Sequence, residues 1–220
     1  MRALIIGSTG AIGSALTECL RSGGWEVTSL SRSGDGLDVT DEASIAAAAG
    51  RLSGEFDLIF DATGALEIDG NGPEKALAQI ESQAMAAQFA LNAIGPALLL
   101  KHLHPFLPRD RRAVFATLSA RVGSIGDNRL GGWISYRASK AALNQVVRTA
   151  SIEIARKWPE AIVVALHPGT VKSELTQAYL GRHPAVTPEE AAGNLVSVMD
   201  GLTPENTGGF FAWDGKVVSW

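Results

Sequence analysis

Ala3-Leu4-Ile5-Ile6-Gly7-Ser8-Thr9-Gly10-Ala11-Ile12-Gly13 is the stretch on which the fold turns. Four apolar residues run without alternation, as in a strand buried on both faces. Glycines at 7, 10 and 13 then break the run, and Ile12–Arg21 carries the spacing of a helix. Further apolar runs at Glu26–Leu30, Leu58–Phe60, Ala113–Leu118, Ile162–Leu166 and Gly209–Trp213 alternate with helical stretches at Glu42–Leu52, Leu77–Phe106, Ile134–Lys157 and Pro188–Gly201. Strands apolar on both faces and separated by helices predict an α/β fold, a doubly wound parallel sheet with helices on both sides. No linker, repeat or low-complexity stretch interrupts the rhythm, so a single domain over residues 1–220 is expected.

One interval departs from the pattern. After Leu30 come Asp35 and then Leu37-Asp38-Val39 almost at once. A parallel crossover needs about a dozen residues or more. The helix between the second and third strands is therefore expected to be missing, and the third strand vestigial or absent.

Lys and Arg number 19 against 23 Asp and Glu, a formal net charge of -4. A mildly acidic surface without a basic cluster argues against nucleic acid or an anionic membrane as partner. The single Cys19 is too little for a disulfide framework or a thiolate metal site, and it suits a reducing compartment. No apolar run approaches the ~20 residues that span a bilayer, and Gly7 comes too soon for a signal-peptide core. A soluble, cytoplasmic protein is expected. His102 and His104, two positions apart, do not face one another on a helix, and no carboxylate or thiol cluster joins them, so no metal site is expected.

The glycine loop lets backbone approach a pyrophosphate, which would rest against free N–H groups and the positive end of the following helix. Its place between a strand and a helix predicts dinucleotide binding. At the end of the second strand an acidic residue would bond the adenine ribose of NAD, whereas an arginine can hold the 2′-phosphate of NADP. Ser31-Arg32-Ser33 offers arginine, a permanently charged fork suited to phosphate, so NADP(H) is favoured over NAD(H). Farther on, Tyr136-Arg137-Ala138-Ser139-Lys140 sets a phenol and an ammonium one helical turn apart on one face. A tyrosine ionises near ~10 and is a poor base at neutral pH, but a neighbouring cation favours the phenolate.

Together these pieces resemble the short-chain dehydrogenase/reductase family over essentially the whole chain. Gly7–Gly13, Asp38-Val39, Asp61-Ala62-Thr63-Gly64, Asn92 with Gly95, the Ser119 region, Tyr136–Lys140, Pro168-Gly169-Thr170 and Trp213-Asp214-Gly215 stand in family order. Leu118–Leu143, with Gly123-Ser124-Ile125 and Gly131-Gly132-Trp133, is similar to the small carbonyl-reductase-like branch. The resemblance implies a Rossmann-type sheet and an NADP(H)-dependent oxidoreductase that moves hydride between nicotinamide and a small carbonyl or alcohol substrate. It implies that Tyr136 is the general acid/base, that Lys140 lowers its pKa and holds the nicotinamide ribose, and that Asn92 holds a relay water. Gly7, Gly10 and Gly13, with Ser8, Thr9 and Ile12, would cradle the pyrophosphate. Ser31 and Arg32 would meet the 2′-phosphate, and Asp38 and Val39 the adenine. Ala62, Thr63 and Gly64 would lie beneath the adenine ribose, and Pro168, Gly169 and Thr170 at the carboxamide end. A homo-oligomer, dimer or tetramer, is expected, and Val171–Pro188 should form the substrate lid.

Three departures stand out. The middle glycine is shifted by one residue from the usual family spacing. Asp61 stands where the family commonly has Asn, and an ionised carboxylate cannot donate. Aligning on Gly123 puts Ala120 where the family has a serine that polarises the substrate carbonyl. Ser119 is the expected substitute, with Ser124 as the alternative; adjacent strand residues face opposite ways, so Ser119 serves only if the strand has already ended. These departures leave open a second reading, a catalytically weak NADP(H)-binding sensor or signalling protein of the same fold. His167, before Pro168, reads as structure or as lining of the cofactor pocket.

Overall fold

The computed structural model describes residues 1–172 and 185–220. The expected lid, 171–188, lies for the most part outside the described residues. Six strands, β1 (Arg2–Ile6), β2 (Glu26–Leu30), β3 (Leu58–Asp61), β4 (Ala113–Leu118), β5 (Ala161–His167) and β6 (Phe210–Ala212), form one parallel sheet in the order β2-β1-β3-β4-β5-β6. Alternating side chains feed two core layers. Leu4, Ile6, Ile59 and Phe115 pack under Ile45 of α3 (Glu42–Ala49), Leu99 and Leu103 of α5 (Gly95–Leu103) and Leu143 and Val147 of α6 (Ile134–Ala155). Ala3, Ile5, Phe60 and Val114 pack against Leu16 and Leu20 of α1 (Ala11–Ser22) and Leu195 and Met199 of α7 (Pro188–Asp200). Each fully buried Leu, Ile or Phe contributes roughly 1.5–3 kcal/mol, and burial on both faces is why these strands read as unbroken apolar runs.

The short interval resolves as expected from its length. Leu37–Val39 forms no strand, and only a four-residue turn of helix, α2 (Arg32–Asp35), follows β2. Ser31 caps it through a hydrogen bond from Gly34 N to Ser31 Oγ, while Ser31 N donates to Asp35 Oδ2 at 2.8 Å. The chain then crosses through α3 directly to β3. β2 is thereby an edge of the sheet.

The helix between β3 and β4 is continuous from α4 (Ser82–Phe89) through a π-helical turn at Ala90–Ile94 into α5. Contrary to the reading of short apolar runs, the segment Ser82–Phe106 is long and apolar enough to cross a membrane by length and composition, with mean hydropathy 1.3. In the fold it packs beside the sheet, with Leu99, Leu100 and Leu103 in the core and Asn92 fully buried.

Candidate functional site

Strand order reverses direction at β1, so the loops leaving β1 and β3 part and open a crevice at the carboxyl ends of the strands. The glycine loop fills one wall of it. A Cβ on Gly13 would stand 2.2 Å from Gly7 O, a contact only glycine permits, and Gly7 itself has φ 78°. Gly7 N donates to Leu30 O at 2.9 Å and Ser8 Oγ to the same carbonyl at 3.3 Å, tying the loop to the end of β2. Gly10 caps α1 without a side-chain hydrogen bond, and the first turn carries no acidic residue, which leaves its N–H groups open to an anion. This cradle fits a pyrophosphate.

A cavity of about 660 Å³ runs along the crevice. It gathers Thr9, Gly10 and Ile12 from the first loop, Ala62, Thr63 and Gly64 from the second, and Tyr136 and Lys140 from α6. Ser119, Ala120, His167, Pro168 and Gly169 close it from the ends of β4 and β5. The remaining candidates stand behind or beyond this wall. Arg32 is exposed on α2, whose neighbour Ser33 donates through Oγ to Thr9 Oγ1 at 3.2 Å, so the arginine is tethered next to the glycine loop. Asp38 accepts from Thr40 N and Thr40 Oγ1, which holds its carboxyl below the usual carboxylate range, while Val39 is buried. Thr170 is exposed.

Lys140 is buried, and its ammonium donates to Leu118 O at 2.9 Å. Burial lowers its pKa to about 8, against the opposing pull of Asp61. Its Nζ lies 5.9 Å from the centre of the Tyr136 ring, and Trp133 meets that ring edge-on at 6.4 Å. The lowering of Tyr136 expected from Lys140 is not what the protein alone produces: burial pushes the phenol up to about 12. The chain thus holds Tyr136 as a proton carrier and leaves its ionisation to charge added at the site.

Asn92 sits in the π-helical turn, a distortion that often marks functional positions. Its amide grips the backbone of Ala65, with Nδ2 donating to Ala65 O and Oδ1 accepting from Ala65 N, and Nδ2 also donates to Gln88 Oε1 at 2.7 Å. Gly64, at φ 123°, separates it from Lys140; a Cβ there would lie 2.7 Å from Asn92 Oδ1 and 3.1 Å from Lys140 Nζ. The two side chains converge on that one glycine.

Asp61 does not line the cavity. It points into the layer beneath α6, fully buried, and accepts from Thr63 N, Thr63 Oγ1 and Thr117 Oγ1 at 2.9, 2.6 and 2.7 Å. Burial raises its pKa despite these donors.

Ser119 offers no free proton to the cavity, and Ser124 does not line it. β4 ends at Leu118, yet Ser119 N still donates to Leu166 O, so Ser119 keeps the strand's alternation and turns toward α6. There its Oγ donates to Asn144 Oδ1 at 2.6 Å. Ser124 is buried with its Oγ accepting from Asp127 N at 3.1 Å. Ala120 faces the cavity in the serine's place.

Glu74 is a contributor that sequence reasoning missed. The N-cap of α6, Trp133, lies in the left-handed region, φ 55°, and its side chain makes no capping hydrogen bond. Glu74, brought in by the loop after β3, accepts from Trp133 N through its carbonyl and from Ser135 N and Ser135 Oγ through its carboxylate. Burial, the largest single influence, works against its charge, but the hydrogen bonds from Ser135 and from its own backbone N–H together outweigh it and hold the carboxyl below its usual range. The residue after this cap is Tyr136.

With this geometry in view, the comparisons with known proteins agree with one another. The family model described as enoyl-(acyl carrier protein) reductase matches residues 12–211. The chain is 35% identical over 188 residues to 1-hydroxy-2-glutathionyl-2-methyl-3-butene dehydrogenase of Rhodococcus sp., covering 84% of this chain and 79% of the relative. It is also 35% identical over 146 residues to the C-signal protein of Myxococcus xanthus, covering 66% of this chain and 84% of the relative. In fold it is similar to NADPH-bound carbonyl reductase from chicken fatty liver, with TM-score 0.84, 24% identity and coverage of 100% of this chain and 98% of that one. An NADP-bound short-chain dehydrogenase/reductase from Burkholderia multivorans superposes with TM-score 0.80 at 24% identity, covering 100% and 99%. Sheet order, glycine cradle and the span of these matches lead to one assignment: the chain is an oxidoreductase of the short-chain dehydrogenase/reductase family, of carbonyl-reductase-like fold.

Proposed function

We propose that the protein is an NADP(H)-dependent reductase of small carbonyl compounds, reversible toward the alcohol. The observation that carries this reading is the placement of Tyr136 and Lys140 together in the wall of the cavity that the glycine loop opens. A bound NADPH would supply the hydride. Gly7, Ser8, Thr9, Gly10, Ile12 and Gly13 would hold its pyrophosphate; Ser31 and Arg32 its 2′-phosphate; Asp38 and Val39 its adenine. Ala62, Thr63 and Gly64 would lie beneath the adenine ribose, and Pro168, Gly169 and Thr170 at the carboxamide. Tyr136, kept protonated by burial, hands its phenolic proton to the substrate oxygen. Lys140 binds the nicotinamide ribose and supplies positive charge beside the phenolate left behind. Asn92, braced on Ala65 and Gln88, holds the relay that returns a proton from solvent. Ser119 belongs to the site as the tie between β4 and α6, its proton given to Asn144, since one hydroxyl proton cannot serve two acceptors.

Oxidation of NADPH measured against a panel of aldehydes and ketones tests the reading; no turnover with any of them, in either direction, would remove it. Arg32→Ala should weaken NADPH binding by ~1.5–3 kcal/mol, the range for a charge-assisted hydrogen bond, and leave NADH nearly untouched. Equal losses for both cofactors in calorimetry would show that Arg32 does not read the 2′-phosphate. Loss of an oxyanion donor costs ~10²–10³ in rate. Ser119→Ala and Ser124→Ala should each lose far less than that, and Ala120→Ser should raise kcat/KM; a full loss in Ser119→Ala would show that its proton does leave Asn144 for the substrate.

The sensor reading keeps support from two observations, the alanine at position 120 and the similarity to the Myxococcus xanthus C-signal protein. Tight NADPH binding without turnover of any substrate would favour it.

A further inference from the structure

Tyr136 is the third residue of α6 and Lys140 the seventh, one turn deeper. The first turn of a helix has N–H groups without partners inside the helix, and helix ends fray. Lys140 is fixed by its bond to Leu118 O, whereas Tyr136 sits in the turn that frays. The approach to that turn is itself costly. Gly131, Gly132 and Trp133 follow one another in the left-handed region at φ 64°, 65° and 55°, and only the glycines adopt it freely. Such a conformation persists where its surroundings over-determine it. Arg137 supplies one restraint, with Nε donating to Gly132 O. Glu74, on the loop after β3, supplies the other. Its carbonyl takes the Trp133 N–H, and its carboxylate takes both Ser135 N and Ser135 Oγ. A carboxylate on these N–H groups replaces the missing cap and suits the positive end of the helix. The same loop reaches the other side of the site, because Gln88, which accepts from Asn92 Nδ2, donates to Leu66 O. Glu74, Gln88, Ser135 and Tyr136 line a second, small cavity, and Tyr136 borders both that one and the main one.

Resting on the oxidoreductase reading above, we infer that Glu74 is a positioning residue for proton transfer: through Ser135 it fixes the first turn of α6, and with it the placement of the Tyr136 phenol against the substrate oxygen. It acts as a hydrogen-bond acceptor and not as a member of the acid-base set. The consequence is selective. Misplacing a reacting group by about 1 Å costs on the order of 10² in rate. The pyrophosphate cradle is built on other elements, β1 and α1, so loosening this turn lowers the rate of hydride transfer far more than NADPH affinity.

The test uses the full chain, a carbonyl compound that the wild type reduces, and single-turnover rates taken well below the melting temperature of every variant. Glu74→Ala should slow hydride transfer by about 10- to 10²-fold while NADPH affinity stays within about twofold. Glu74→Gln keeps an acceptor oxygen for Ser135 N and an amide donor for Ser135 Oγ, and should stay within about fivefold of wild type. In a Tyr136→Phe background there is no phenol to place, so adding Glu74→Ala should cost less than about threefold more. A wild-type rate in folded Glu74→Ala overturns the proposal. So does a Gln variant as slow as the Ala one, a loss of NADPH affinity parallel to the loss of rate, or a fully additive loss on Tyr136→Phe. Should Glu74→Ala fail to fold by circular dichroism, Ser135→Ala decides. It removes the hydroxyl half of the clasp and should slow transfer by about three- to tenfold; a wild-type rate there overturns the proposal. Tyr136→Phe alone separates the two levels. If that variant stays active, the oxidoreductase mechanism fails whatever Glu74 does; if it is crippled while Glu74→Ala is fully active, only the Glu74 proposal fails.

Discussion

Tyr136→Phe is expected to lose between about 10²- and 10⁴-fold in turnover, the scale of general acid catalysis, with NADPH affinity little changed. The substitution keeps the ring that Trp133 meets edge-on and that Lys140 approaches at 5.9 Å, so packing and charge placement survive. What disappears is the proton. Burial alone pushes the phenol up to about 12, so until charge is added at the site the group stays protonated, and carbonyl reduction should not decline as pH rises through 7 to 9 on account of Tyr136 itself. Single-turnover kinetics with NADPH would isolate the chemical step; unchanged rates on a verified substrate would remove Tyr136 from the mechanism.

Lys140→Met is expected to cut turnover and weaken cofactor binding, and it also carries a signature in stability. The folded pKa of Lys140, about 8, lies below its ordinary value of 10.5. Between those values the unfolded chain binds more protons than the native one, so stability rises with pH across that window and is lost as pH falls through 8. The shift corresponds to something on the order of 3 kcal/mol. Tyr136 has the opposite sign: its raised pKa contributes stability that is present below pH 10 and fades as pH climbs toward 12. Urea unfolding of wild type and Lys140→Met at pH 7, 8, 9 and 10 should therefore show the wild type gaining on the variant as pH rises. Parallel curves would mean that the ammonium does not bear the desolvation cost its burial implies.

The strands and helices were legible because each buries apolar residues on a face or faces that local periodicity reveals. The absent strand was legible by arithmetic, since Leu37–Val39 follows Leu30 too closely for a crossover. Residues of the site that stand next to one another in the chain were legible in the same way: the glycine loop, and Tyr136 one turn before Lys140. What stayed hidden depends on partners distant in sequence. Glu74 caps a helix that begins sixty residues later, and nothing near Trp133 announces it beyond the lack of a capping side chain. Thr117, Asp61's register partner on the adjacent strand β4, comes 56 residues later in the chain. Ser119 illustrates the limit best. Its distance along the chain from Tyr136 was readable, but the direction of its hydroxyl depends on one ladder bond to Leu166 that prolongs the strand's alternation by a residue. Gln88 before Asn92 was within reach, because positions four apart share a helical face.

Dropping the outermost strand has a price elsewhere in the molecule. An unpaired sheet margin is a template for another chain, and the burden of resisting aggregation now falls on β2. The strand meets it by brevity and polarity: five residues, Glu26-Val27-Thr28-Ser29-Leu30, with Glu26 held by Arg2 at 3.3 Å and the far end turning at once into α2. Thr28 and Ser29 are poor interior strand residues for an enclosed parallel sheet, but at a margin they act as gatekeepers. The same polar character that marks β2 as the weakest of the apolar runs is thus what makes this margin a poor template for a second chain.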